Sequence, residues 1–442
     1  MAEATQTKTT IAIDPVTRIE GHLKAEVVVE NGKVVDAKLT GGMYRGFESI
    51  LRGRHPRDAA QIVQRICGVC PTAHATAASI ALEKASGTAV PSNGRATRNL
   101  ILGANYLQSH ILHFYHLAGQ DFIQGPDTAP FMPRYAKPDL RLPPAINAVG
   151  VDQYVEALEV RAVCHEMVAL FGGRMPHVHG ILAGGAAEIP TKEKLVEYAA
   201  RFKKVRKFVE EKYLPVVYLV GSQYKDLGAF GQGYRNALCV GVFPLDDEGK
   251  EFVFKAGAYQ DGKDMPFDVK RVTEDVKFSW FADSTSGKPF TKGENVLEVD
   301  KKGAYSFVKA PLYNGKPMEV GPLARMWVNN KPISSIGQKL FKEYFGLDVK
   351  NFRDMGEDLA FSLLGRHVAR AEESYLMLDV VERFLKEVRP DEETFSMPVM
   401  KDSEGFGFTE APRGSLMHFN GNILQMGVVE MGWGSGALLG GL

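Results

Sequence analysis

A chain of 442 residues with 53 basic and 53 acidic side chains carries no net charge, so its bulk electrostatics give no argument for nucleic acid or an anionic membrane surface. Its 45% hydrophobic content is that of a globular protein with room for a large core, in one domain or up to about three. No apolar run is long enough for a membrane span, the polar start lacks the layout of a secretory signal, and 4 cysteines are too few for a disulfide framework. In chain order, residues 10–40 alternate in the strand manner around Asn31-Gly32, a dipeptide that favours a tight turn, which predicts an antiparallel β-hairpin. Pro56-Arg57-Asp58 opens a helical pattern through Ala59, Ile62, Val63 and Ile66, which would deliver Cys67 and Cys70 at its C-terminal end. Further helical patterns cover 99–117, 151–170 and 192–213, so 56–215 reads as a helical core. Residues 221–313 are rich in Gly, Asp and short β-prone runs, an excursion of strands and loops from that core. Helices resume at 335–345 and 356–388 within a helical region 335–388. A second hairpin is expected over 411–433, turning at Asn420-Gly421-Asn422, and 434–442 reads as an aberrant tail unlikely to order itself. The fold class expected is α+β and predominantly helical, in one large domain over 1–442.

The densest chemistry lies in Arg65-Ile66-Cys67-Gly68-Val69-Cys70-Pro71-Thr72-Ala73-His74, which holds two thiols and an imidazole. Soft sulfur donors at this spacing suit nickel, zinc, copper(I) or iron rather than magnesium or calcium. Half of a zinc site, a redox dithiol and buried structural thiols stay open on the spacing alone. Cys164 and Cys239 fall in apolar patterns and are expected to be buried and inert. His110, His113 and His116 share helical spacing, and packing around Phe114 and Tyr115 explains them better than a metal face.

Four further stretches accompany the cysteine motif: Asp14-Pro15-Val16-Thr17-Arg18-Ile19-Glu20-Gly21-His22, Arg45-Gly46-Phe47-Glu48, Glu319-Val320-Gly321-Pro322-Leu323-Ala324-Arg325 and Ala411-Pro412-Arg413-Gly414. In type and order these resemble the large subunit of nickel-iron hydrogenases, from about Thr10 to Trp433. Ser109 and the run Cys70-Pro71-Thr72-Ala73-His74 are similar to the selenium-containing branch of that family; many members outside the branch carry an acidic residue at the position of Ser109.

The resemblance implies a role for each matching residue. Cys67 would be a terminal nickel ligand, and Cys70 would bridge nickel to an iron bearing carbon monoxide and cyanide. Glu20 falls where the family places its proton-transfer glutamate, the alternative being a glutamate that caps or bridges the first hairpin through Arg18. Arg413 matches the arginine above the open metal face, against an ordinary ion pair after a proline turn. His74 matches a histidine that hydrogen-bonds a metal-bound sulfur, and Glu48 a ligand to magnesium.

Family members continue through a further helix to a second cysteine pair, in some members with selenocysteine, and to a terminal histidine. This sequence does not, and the expectation is that it is incomplete and, taken alone, does not hold an active bimetallic centre. Two readings follow. One is the catalytic subunit that interconverts dihydrogen with protons and electrons; the other is a catalytically inactive truncated scaffold or interaction subunit. Four cysteines cannot also ligate a chain of iron-sulfur clusters, so electrons would leave through an iron-sulfur small subunit in a heterodimer. Export with that partner would place the chain in the periplasm, the cytoplasm being the other possibility.

Overall fold

The computed structural model describes residues 8–129, 131–132, 139–400, 402–421 and 427–428. Three strands open the chain: β1 (Lys8–Ile13), β2 (Leu23–Glu30) and β3 (Lys33–Gly41), in the order β1-β2-β3 and antiparallel throughout. Asn31 and Gly32 both take positive φ, at 52° and 76°, the geometry of a two-residue turn whose twist matches the strands it joins. The expected hairpin is therefore β2–β3, and β1 adds a strand to it.

After a short helix α1 (Phe47–Leu51) the path differs from the expected single helix. A 3-10 turn at Pro56–Asp58, one α-helical turn α2 (Ala59–Ile62) and a second 3-10 turn at Val63–Ile66 carry the chain to Cys67, which is extended. Cys70 stands at the start of a different helix, α3 (Pro71–Ser86), with Pro71 at its first position and Gly87, φ 72°, closing it. Sequence periodicity does not disclose α3, because its alanines are buried on nearly every side and leave no apolar stripe.

The core is built from α4 (Ser92–Leu112), α5 (Pro144–Gly172), α6 (Lys192–Phe208) and α7 (Leu214–Gln223). Wide π-helical turns at His113–Ala118 and Val209–Tyr213 follow α4 and α6. Short antiparallel strands between 237 and 313 form small sheets, and Ala237, Cys239, Phe243 and Phe254 of this stretch join the main apolar core. Then come α8 (Pro322–Val328), which the sequence reading did not anticipate, α9 (Ser335–Phe345), α10 (Gly356–Ala360) and α11 (Leu363–Glu387). The expected helix over 356–388 is split because Ser362 leaves the helical path and caps α11 by accepting from the Gly365 amide.

The last hairpin gains a strand ahead of it, and Asn420 and Gly421 of the expected turn instead pair with Val428 and Gly427. Strand β4 (Gly405–Ala411) pairs with β5 (Gly414–Gly421) through a two-residue tip of Pro412 and Arg413, and β6 (Gly427–Val428) pairs with β5. Most of the expected second strand, the turn residue Asn422 and the tail 434–442 lie outside the described residues. β4 lies directly on α3, and its glycines permit the approach: a Cβ on Gly407 would stand 2.1 Å from the Ala77 carbonyl, and one on Gly405 2.4 Å from that of Ala81.

Candidate metal centre

The cysteine loop is held on three sides. Arg45 donates to the carbonyls of Arg65 at 2.8 Å and Ile66 at 2.6 Å, fixing the approach to Cys67. Gln108 of α4 donates to the Val69 carbonyl at 2.9 Å. The sulfur of Cys67 accepts from the amides of Val69 at 3.4 Å and Cys70 at 3.3 Å, where α3 begins. A hydrogen bond from the Cys70 thiol, these two amides and the charge of Arg45 outweigh burial and hold the Cys67 thiol at about 7, below its usual 9.0. Neither cysteine is in a disulfide, and Cys67 is buried. The arrangement favours a thiolate poised for a soft metal, so the two sulfurs fit the donor chemistry of nickel.

His74 lies one helical turn after Cys70 and therefore shares its face of α3. Burial drives its pKa well below the ordinary value, with His418 and Arg45 adding to the effect, so the ring is neutral. His418 of β5 packs against it, ring centroids 5.8 Å apart, and both of its ring nitrogens are enclosed without a hydrogen-bond partner among the described residues. Sequence reading did not single out His418; a lone histidine near a strand end carries no local signal.

Glu20 and Arg413, from opposite ends of the chain, form an ion pair. Glu20 reaches out of the loop between β1 and β2, and Arg413 stands at the tip between β4 and β5. Arg18 of the same loop pairs with Asp121 at 2.6 Å. Arg413 also donates to the Ser109 carbonyl at 3.3 Å, while its Nε is buried without a partner among the described residues. Burial works against its charge and lowers its pKa. Ser109 and Gln108 are neighbours on α4, so adjacent residues of one helix tie down the Arg413 tip and the cysteine loop.

Glu48 is not part of this cluster. It sits half-buried on α1, which packs against β6, and its charge acts on Glu274, whose carboxyl is raised chiefly by burial and drawn back by Lys309. Cys164 and Cys239 are buried, with burial pushing both thiols up. His110, His113 and His116 turn to different neighbours: Glu373 at 3.1 Å, the His367 ring and the Tyr154 ring. Among the described residues no three His, Cys, Asp or Glu side chains converge as a metal site.

A family model described as nickel-dependent hydrogenase matches residues 45–127 and 121–428, and one described as HoxL-like matches 10–40. The chain belongs to the nickel-dependent hydrogenase family. It is 58% identical over 422 residues to the periplasmic [NiFeSe] hydrogenase large subunit of Desulfomicrobium baculatum, covering 93% of this chain and 82% of that one. With the Hydrogenase-2 large chain of Escherichia coli the identity is 31% over 496 residues, covering 95% and 86%. The reduced Ni-Fe-Se hydrogenase of D. vulgaris Hildenborough superposes with a TM-score of 0.95 at 65% identity, over 98% of this chain and 90% of that one. The chain is thus a hydrogenase large subunit, and the higher identity to the [NiFeSe] relative, 58% against 31%, bears out the expected nearness to the selenium-containing branch. Its reaction is the oxidation of dihydrogen to protons and electrons and the reverse. A nickel-iron centre and a small-subunit partner go with that membership. No helix among the described residues is long and apolar enough to cross a membrane.

Proposed function

We propose that Cys67 and Cys70 hold the nickel-iron centre through sulfur, with Glu20 as the proton carrier, Arg413 as the cation over the open face and His74 as a neutral ring orienting a ligating sulfur. The observation that carries this reading is the Glu20–Arg413 pair, anchored through Ser109 one residue from the Gln108 grip on the cysteine loop. A bound nickel-iron centre supplies a Lewis acid that polarises dihydrogen and a redox store for its electrons. The protein's own residues do the rest. The amides of Val69 and Cys70 keep the Cys67 sulfur in its electron-rich form. Glu20 takes or returns a proton at a carboxylate oxygen, and Arg413 fixes that carboxylate and, being buried, helps keep bulk water out.

Were the iron to bear carbon monoxide and cyanide, the Nε of Arg413, without a partner among the described residues, would be a donor of suitable kind for cyanide. Were magnesium bound beside α1, Glu48 would supply one carboxylate oxygen to it, and no further carboxylates or imidazoles converge there among the described residues. The partner is an iron-sulfur small subunit, and the pair resides in the periplasm, as the D. baculatum relative does.

The test is Glu20→Gln in the chain assembled with its partner. Nickel content by mass spectrometry should match the parent, while exchange between dihydrogen and deuterated water falls by about 10²-fold or more. Unchanged exchange would remove Glu20 from the reaction. A parent assembly that binds no nickel and shows no exchange would favour the scaffold reading.

A further inference from the structure

The stretch from Glu319 to Arg325 is part of the family resemblance, yet no role attaches to it. In the fold it leads into α8, and two of its residues, Gly321 and Arg325, lie against the tip that carries Arg413. The tip is buried: Ala411 and Pro412 are enclosed, and a buried carbonyl must find a donor. Arg325 is that donor for both. Its Nη1 reaches the Ala411 carbonyl at 2.8 Å, and its Nη2 reaches that of Pro412 at 2.9 Å.

The remaining donors of the same guanidinium are fixed by carboxylates. Nε and Nη2 go to the two oxygens of Glu373 at 2.5 and 2.9 Å, and Nη1 also goes to Glu410 at 2.9 Å. All five N–H groups of Arg325 are therefore used, in a side chain with no exposed surface. Glu410 is held in turn by the Val240 amide and the Ser415 hydroxyl, both at 2.6 Å, and the Tyr106 ring lies 5.1 Å from the guanidinium carbon.

Gly321, four residues earlier, makes the second contact. Its φ is 93°, and a Cβ there would stand 2.8 Å from the Arg413 carbonyl. Only glycine lets the start of α8 lie so close to the tip.

We propose that Gly321 and Arg325 are positioning residues for the hydrogenase reaction: α8 sets the height and direction of the Arg413 tip, and through it the Glu20 pair. Neither residue touches Glu20 or the two cysteines. The inference rests on the reading of Arg413 as part of the site.

The test uses the chain assembled with its partner, in a double-mutant cycle. Arg325→Lys keeps the charge but cannot serve two carbonyls and two carboxylates at once. It should lower dihydrogen exchange about tenfold or more in the parent, and by less than about twofold when Arg413→Lys is already present. Deuterium uptake at the amides of Arg413, Gly414 and Ser415 should quicken in both backgrounds. If Arg325→Lys does not assemble, Gly321→Ala replaces it, since it crowds the tip without disturbing the buried charges. The inference is overturned by equal losses in both backgrounds, or by normal uptake and turnover in Gly321→Ala. Should Arg413→Lys itself leave turnover intact, the site reading fails instead, and amide uptake still reports whether α8 grips the tip.

Discussion

A carboxyl enclosed by protein without a cation is stable only while it keeps its proton. Glu372, next to the network residue Glu373, is such a group: it accepts from Tyr218 at 2.6 Å and from the amide and hydroxyl of Ser334 at 2.8 and 3.2 Å. Burial outweighs these donors and raises its pKa from 4.5 to about 7. Between those values the folded chain holds a proton that the unfolded chain has released, so this group's contribution to stability falls as pH rises from about 4.5 to about 7. Glu372→Gln has the shape of the protonated acid and removes that slope. Its unfolding free energy should match the parent's near pH 4 and exceed it at pH 8 by an amount on the order of 3 kcal/mol, with a correspondingly higher midpoint, a tenfold difference in proton affinity being worth about 1.4 kcal/mol. Equal midpoints at pH 8 would refute the assignment.

At the scale of elements, the packing of β4 on α3 decides where the Arg413 tip arrives. Gly407→Ala places a methyl 2.1 Å from the Ala77 carbonyl, so the strand must lift off the helix. The expected cost is about 1–3 kcal/mol in unfolding, as for other overpacked sites, with a fall in turnover because the strand leads to Arg413. Gly42→Ala is the control: a Cβ there meets nothing within 4 Å, and stability should be unchanged. Thermal unfolding of the two variants separates packing from a general effect of losing glycine. The elements legible in the sequence were those with local stop and start chemistry. The β2–β3 hairpin is written in Asn31-Gly32, and α9 in the Ser334 cap and the Gly346 close. Helix α3 has no such stripe to read, and the split before α11 depends on one serine choosing the cap over the helix.

For the whole molecule, the main core draws on α3 through α11 and reaches into the 237–259 strands. A core of that extent does not depend on a metal for its fold, unlike a small metal domain. Chain produced without nickel should therefore keep its helical circular dichroism and a cooperative thermal transition, losing protection chiefly in the Cys67–Cys70 loop. Loss of the helical signal in the nickel-free chain would show the reverse. The family, the cysteine pair and the first hairpin are legible in the residues alone, because motif chemistry and turn dihedrals act over a few positions. It took the packed fold to bring Glu20 against Arg413, to lay His418 beside His74 and to hand Arg325 a tip 86 and 87 residues away. Those partners come from separate elements, and which charges meet is settled by how helices and strands pack, which no local pattern records.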